Sequence, residues 1–191
     1  VRPLALQDLP TPEAFLAERD ARRRGVIALK KVRRVAVGPH ASLVFENRDT
    51  LLWQVLEMCR VEGIRDDAGR RAELDVYNAL VPRDGGLAAT MFLEFESEAL
   101  LKTWLPRLPG IEGRVRLEFA GRAILAASED GRSRNDYTAS VHYLHFPFTA
   151  ADRRAFGSAP RVSVAIDHPA YGHAALLAPE TRASLAADLA S

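Results

Sequence analysis

The chain has 191 residues, 48% of them hydrophobic and 27% charged, an ordinary globular composition with enough material for one sizeable core. Its 26 basic and 25 acidic side chains leave a net charge of +1, so only local charge clusters can point to a partner. The single cysteine excludes an internal disulfide. No apolar run reaches the roughly 18 residues of a membrane span, and no signal-peptide pattern is apparent, so a cytoplasmic protein without membrane association is expected.

Thr11-Pro12-Glu13 reads as a helix start: a cap, a proline at the first helical position and an early acid. The spacing predicts a basic helix over about 12–31. Ala14, Ala17, Ala21, Gly25, Ala28 and Val32 form a small-residue stripe suited to close packing against a neighbour. The other faces and the residues just beyond carry Arg19, Arg22, Arg23, Arg24, Lys30, Lys31, Arg33 and Arg34. Val35 and Val37, then Leu43 and Phe45, alternate with small or polar neighbours as half-buried strands do, with Gly38-Pro39 as the turn. Asn47 or Asp49 can cap the next helix, in which Leu52, Val55, Leu56 and Cys59 fall at helical spacing before Gly63 stops it. Cys59 on that apolar face reads as a small buried hydrophobe rather than a nucleophile.

Asp66 or Asp67 opens a further helix through Ala72, Val76 and Leu80, closed by Pro82. Arg83-Asp84-Gly85-Gly86 is a turn. A strand through Ala89, Met91, Leu93 and Phe95 follows, then a short helix capped by Ser97 and cut off by Pro106. Val115, Leu117 and Phe119 make a strand that turns at Ala120-Gly121 into a partner ending at Ala127. Residues 128–136 read as an exposed, mobile loop. Tyr137 to Phe146 is a strand, Thr149 begins a short helix, and Val162, Val164 and Ile166 a strand leading to Asp167-His168-Pro169-Ala170-Tyr171-Gly172. A strand from His173 to Leu177 precedes a terminal helix with Thr181, Leu185 and Leu189 on one stripe. The pattern predicts a single α+β domain over 1–191. Helices, mainly in the N-terminal half, pack on a largely antiparallel sheet from the hairpin at 33–46 and the C-terminal half.

Mainstream catalytic motifs are missing: there is no G-x-S-x-G, no H-E-x-x-H and no phosphate-cradling glycine loop. His142 and His145, three apart on a strand, point to opposite faces and cannot share an ion. His168 and His173 flank a turn and could converge across it. With His142 and a carboxylate such as Glu46 or Asp167 they would make a set suited to iron or zinc. Glu46 and Arg48, at a strand-to-helix corner, could pair with each other, or could line a pocket with Glu57, Glu73 and Tyr77.

Six segments carry a family resemblance: Ala28-Leu29-Lys30-Lys31, Phe45-Glu46-Asn47-Arg48-Asp49-Thr50, Glu73-Leu74-Asp75-x-Tyr77-Asn78, Gly110-Ile111-Glu112, Ser140-Val141-His142 and Asp167-His168-Pro169-Ala170-Tyr171. In this order they resemble the domain of unknown function 3501 family over almost the whole chain. The resemblance implies no activity. It implies a genetic neighbourhood, since members tend to be encoded beside rubrerythrin-like di-iron proteins and iron–sulfur oxidoreductases.

Three functions follow as expectations. The first is a non-catalytic accessory protein that docks an iron-dependent oxidoreductase or peroxide-defence partner through the basic helix. The second is an iron- or zinc-binding enzyme using the histidine and carboxylate set. The third is nucleic-acid binding through the basic run, although no aromatic residues are interleaved to read bases.

Overall fold

A computed structural model describes residues 2–82, 85–128 and 137–190. The loop expected at 128–136, apart from Ser128, lies outside the described residues, as do Arg83 and Asp84 of the expected turn. The elements follow the order α1 (Pro12–Arg33), β1 (Arg34–Val37), β2 (Ala41–Glu46), α2 (Arg48–Val61), α3 (Asp67–Asn78), β3 (Leu87–Leu93) and α4 (Glu98–Trp104). Then come β4 (Val115–Phe119), β5 (Arg122–Leu125), β6 (Ala127–Ser128), β7 (Val141–Phe146), α5 (Ala150–Ser158), β8 (Val162–His168), β9 (Tyr171–Leu176) and α6 (Pro179–Ala190).

Local chemistry starts the helices where the sequence places them. Thr11 accepts from the Ala14 amide, Asp66 from Gly69, Ser97 from Leu100 and Thr149 from Asp152. At α2 the cap is Asn47, which accepts from the amides of Asp49 and Thr50 at 3.1 and 3.0 Å. Each bond satisfies a backbone donor that the first helical turn leaves over.

The α+β architecture with antiparallel pairing is as expected, but the strands divide into two sheets rather than one. One has the order β1-β2-β3-β7-β6 and the other β5-β4-β8-β9. The chain crosses between them at Ala126: Leu125 still pairs with Arg116, whereas Ala127 already pairs with His145. The main core lies between the sheets. Leu43, Phe45, Met91, Leu144 and Phe146 meet Val115, Leu117, Val164 and Ile166, and Leu185 and Leu189 of α6 close the side.

A smaller core lies among the helices, where Leu4, Leu9 and Phe15 pack on Leu51, Val55, Leu56, Cys59 and Leu74. Both faces of β2 are therefore covered, and all six of its residues are buried. Two expected faces turn out otherwise. On α3 the buried residue is Leu74, while Val76 is 63% exposed. On α1 the residues turned inward are Phe15, Arg19, Arg22, Val26, Leu29 and Arg33; Ala14, Ala17, Ala21, Gly25 and Ala28 are exposed. The small-residue stripe is thus the solvent side of α1. The inward stripe is hard to read from sequence because arginines stand in it: Arg33 is fully buried, and Arg19 and Arg22 are partly covered with their heads in ion pairs.

Candidate functional site

The candidate metal ligands do not meet. His142 shares the inner face of β7 with Leu144 and Phe146 and is fully enclosed. Its Nε2 donates to the Ala139 carbonyl at 2.8 Å and lies 3.0 Å from Thr138 Oγ1, and Nδ1 lies 3.8 Å from Glu112 Oε2. Two segments of the family resemblance, Gly110-Ile111-Glu112 and Ser140-Val141-His142, thereby come together between the sheets.

Glu46 is on the opposite face of its sheet from His142, since β2 pairs in register with β3 and β3 with β7. It is a buried carboxylate held by neutral donors. Thr50 Oγ1 donates at 2.5 Å, Thr90 Oγ1 at 2.8 Å and Gln54 Nε2 at 3.2 Å. Asp167 is largely exposed and pairs with Arg116 at 3.1 Å.

His168 Nε2 lies 3.2 Å from the Pro109 carbonyl, and its Nδ1 accepts from the Ala170 amide at 3.2 Å. His173 instead lies over the β1–β2 turn, with its ring 4.5 Å from that of Tyr171. The two histidines are on one face of the β8–β9 hairpin but are diagonal to each other, because Ile166 is opposite His173 and Tyr171 opposite His168. Among the described residues, no three His, Cys, Asp or Glu side chains converge as metal ligands would.

Tyr171 is the residue of this region with the largest structural role. Its hydroxyl accepts from the amides of His40 and Ala41 at 2.8 and 2.9 Å and donates to the Val37 carbonyl at 2.7 Å. It thus grips the turn between β1 and β2 from the other sheet. A side chain on Gly38 would collide with His173 and the Tyr171 hydroxyl, which, with its φ of 74°, explains the glycine there.

The residues expected to line one pocket are dispersed. Arg48 pairs with Asp8 at 2.5 Å, not with Glu46. Asp8 also binds Arg2, and these two guanidiniums hold its carboxyl far below the usual range. Glu57 takes both Arg19, in a fork at 2.7 and 2.8 Å, and Arg60 at 3.1 Å, which together lower its pKa to about 2. Glu73 and Tyr77 stand on α3 near Cys59. Burial raises the pKa of all three, and the Glu73 charge adds to the effect on Tyr77 and Cys59. A raised thiol pKa in a buried site is that of an unreactive cysteine.

The basic run is also divided. Arg33 is fully buried, so it leaves the proposed surface altogether; it binds the carbonyls of Phe45 and Glu46 and the side chains of Ser184 and Asp188. Arg19 is committed to Glu57, Arg22 to Glu18, and Arg34 to Glu94. Arg23, Arg24, Lys30 and Lys31 make no ion pair among the described residues. Arg23, Arg24 and Lys31 are exposed. Ile27, 51% exposed, stands among these three at helical spacings of four, three and four residues.

A cleft absent from the sequence reading opens where the starts of α1 and α3 meet the end of α2. Phe15, Leu56, Cys59 and Ile64 line it, with Arg60, Arg65 and Arg70. Its sequence signals are Pro12 at the start of α1 and Gly63 after α2, which read as ordinary helix boundaries.

Fold and site together define a single-domain α+β protein of two antiparallel sheets with a helical layer whose first helix presents a basic outer face. The family model for a protein of unknown function (DUF3501) matches residues 3–189, and the chain belongs to that family. It is also similar to a solved structure, a novel protein of unknown function from Burkholderia pseudomallei K96243. The two are 37% identical, with a TM-score of 0.90, over 98% of this chain and 99% of that one. No match was found among the curated proteins.

Proposed function

We propose that this protein acts by binding, as an accessory protein that docks an acidic partner on the outer face of α1. The observation that carries this reading is the patch of Ile27 within Arg23, Arg24 and Lys31. It combines an exposed apolar anchor with cations that have no ion-pair partner among the described residues. Such a patch can steer an oppositely charged protein and fix its orientation, while the apolar centre gains from burial. The family resemblance suggests the partner class: an iron–sulfur or rubrerythrin-like oxidoreductase that brings its own metal.

The test is co-expression with an oxidoreductase of the class that the resemblance implies, then purification at low and rising ionic strength. A complex is expected that dissociates as salt screens the contact, since the Debye length falls to about 10 Å at 0.1 M. Charge reversal at Arg23, Arg24 and Lys31 should mainly slow association and leave the fold intact. Absence of a complex at low salt, or a complex indifferent to the three reversals, would overturn the proposal. Fluorescence anisotropy with oligonucleotides covers the polyanion alternative. Salt-sensitive binding that weakens with the same reversals, without a protein complex, would replace docking by nucleic-acid binding.

A further inference from the structure

We infer that the cleft between α1, α2 and α3 is a binding site for a short-chain aliphatic monocarboxylate. The inference is independent of docking on α1, so either can fail alone.

The chemistry of the lining supports it. The floor is apolar: Phe15 is 3% exposed, Leu56 5% and Cys59 8%, and Ile64 completes it. Every charged side chain that lines the cleft is an arginine. Of these arginines Arg65 is the most loosely held. Arg60 shares the Glu57 carboxylate with Arg19, which also lies 3.8 Å from Asp20. Among the described residues Arg65 pairs only with Glu13, at 3.4 Å and with both side chains 72% exposed, a pair weak enough to be given up for a better anion. An apolar floor under a cationic rim suits a molecule with one anionic end and a hydrocarbon tail, and a guanidinium can take a carboxylate through two parallel hydrogen bonds.

The cleft is also built to a shape. Arg70 is pinned by a 2.6 Å bond from Nη2 to the Pro10 carbonyl, and its side chain is only 12% exposed. Ile64 lies so close over Gly69 that a Cβ there would come within 2.6 Å of its Cγ2. One wall therefore depends on a residue without a side chain. The cleft measures about 80 Å³.

The test uses the full chain with butyrate, hexanoate, octanoate and neutral hexanamide. Amide NMR shifts read binding site by site. Saturable shifts confined to Phe15, Leu56, Cys59 and Ile64 are expected. Affinity should rise about fourfold for each added methylene that the cleft buries. Hexanamide should bind about tenfold or more weakly, since it lacks the charge-assisted bond. Arg60→Gln with Arg65→Gln should remove that preference for the acid while the NMR spectrum elsewhere stays native. Three results would overturn the inference: no saturable shift with hexanoate, equal binding of hexanamide, or an unchanged preference in the double variant. The first two need no substitution, so a folding defect cannot mask them.

Discussion

The guanidinium of Arg33 donates to Asp188 at 2.5 Å across 155 positions of sequence, joining the end of the first helix to the last helix. The same guanidinium donates to the Phe45 carbonyl at 2.7 Å and to Ser184 at 2.8 Å, so three elements converge on one buried cation. Removing one member of such a pair leaves the other charged and uncompensated, at a cost of about 3–5 kcal/mol. Asp188→Ala should therefore destabilise by about that amount in urea unfolding. The paired replacement Arg33→Met with Asp188→Leu should cost clearly less, because neither charge is left behind. Equal losses would mean that packing, not the buried charge, dominates the site.

The Tyr171 hydroxyl makes a different kind of link, between the two sheets. Tyr171→Phe keeps the ring but strands the amides of His40 and Ala41 and the Val37 carbonyl. Unsatisfied buried groups of this kind cost about 1–3 kcal/mol. Hydrogen exchange should show it directly: the His40 and Ala41 amides should exchange faster in the variant, while amides in β4 and β8 follow only the global loss of stability.

These two contacts also show what the sequence could and could not convey. The helix starts at Thr11, Ser97 and Thr149 are legible because each capping bond spans only three residues, and Asn47 and Asp66 are each legible as one of two neighbouring candidates. The strands were legible from period-two alternation, including the enclosed face of His142, Leu144 and Phe146. Their division into two sheets was not, since it depends on a crossing at Ala126 that local pattern does not encode. Arg33 read as one more surface cation because nothing near it in sequence announces Asp188. The pocket expected from Glu46, Arg48, Glu57, Glu73 and Tyr77 is broken up for a related reason: Arg48 and Glu57 turn to partners distant in sequence, Asp8 and Arg19. The cleft at Ile64 draws its lining from three helices, so no window of sequence contains it.

Two carboxylates should give opposite pH signatures. The Glu57 pKa falls from its ordinary 4.5 to about 2 in the folded state, chiefly through Arg19. Its contribution is therefore fully present above pH 4.5 and lost as pH falls through about 2. With solvent screening it amounts to about 1 kcal/mol, so stability of the wild type should drop over that window relative to Glu57→Gln. Burial raises the Glu73 pKa, so its charge opposes folding once it ionises. Glu73→Gln should stabilise at neutral pH, and the gain should vanish below pH 4.5, where the carboxyl is protonated in both states. A Glu73→Gln gain that persists unchanged at low pH would point to packing rather than ionisation.

The last prediction concerns Gly25, on the solvent side of α1. Had the stripe of Ala14, Ala17, Ala21, Gly25 and Ala28 packed against a neighbouring element, a methyl group at Gly25 would clash and destabilise. In the structure a Cβ built there meets nothing within 4 Å. Gly25 is also outside the positive-φ glycines, so its backbone is ordinary helix that alanine adopts without strain. Alanine in a helix interior is better than glycine by about 0.8–1.0 kcal/mol, largely because it restricts the unfolded chain. Gly25→Ala should therefore raise the urea midpoint at unchanged slope, by a stability increment of about that size. A loss of stability would mean that this face is covered in solution, and with it the neighbouring patch of Arg24 and Ala28.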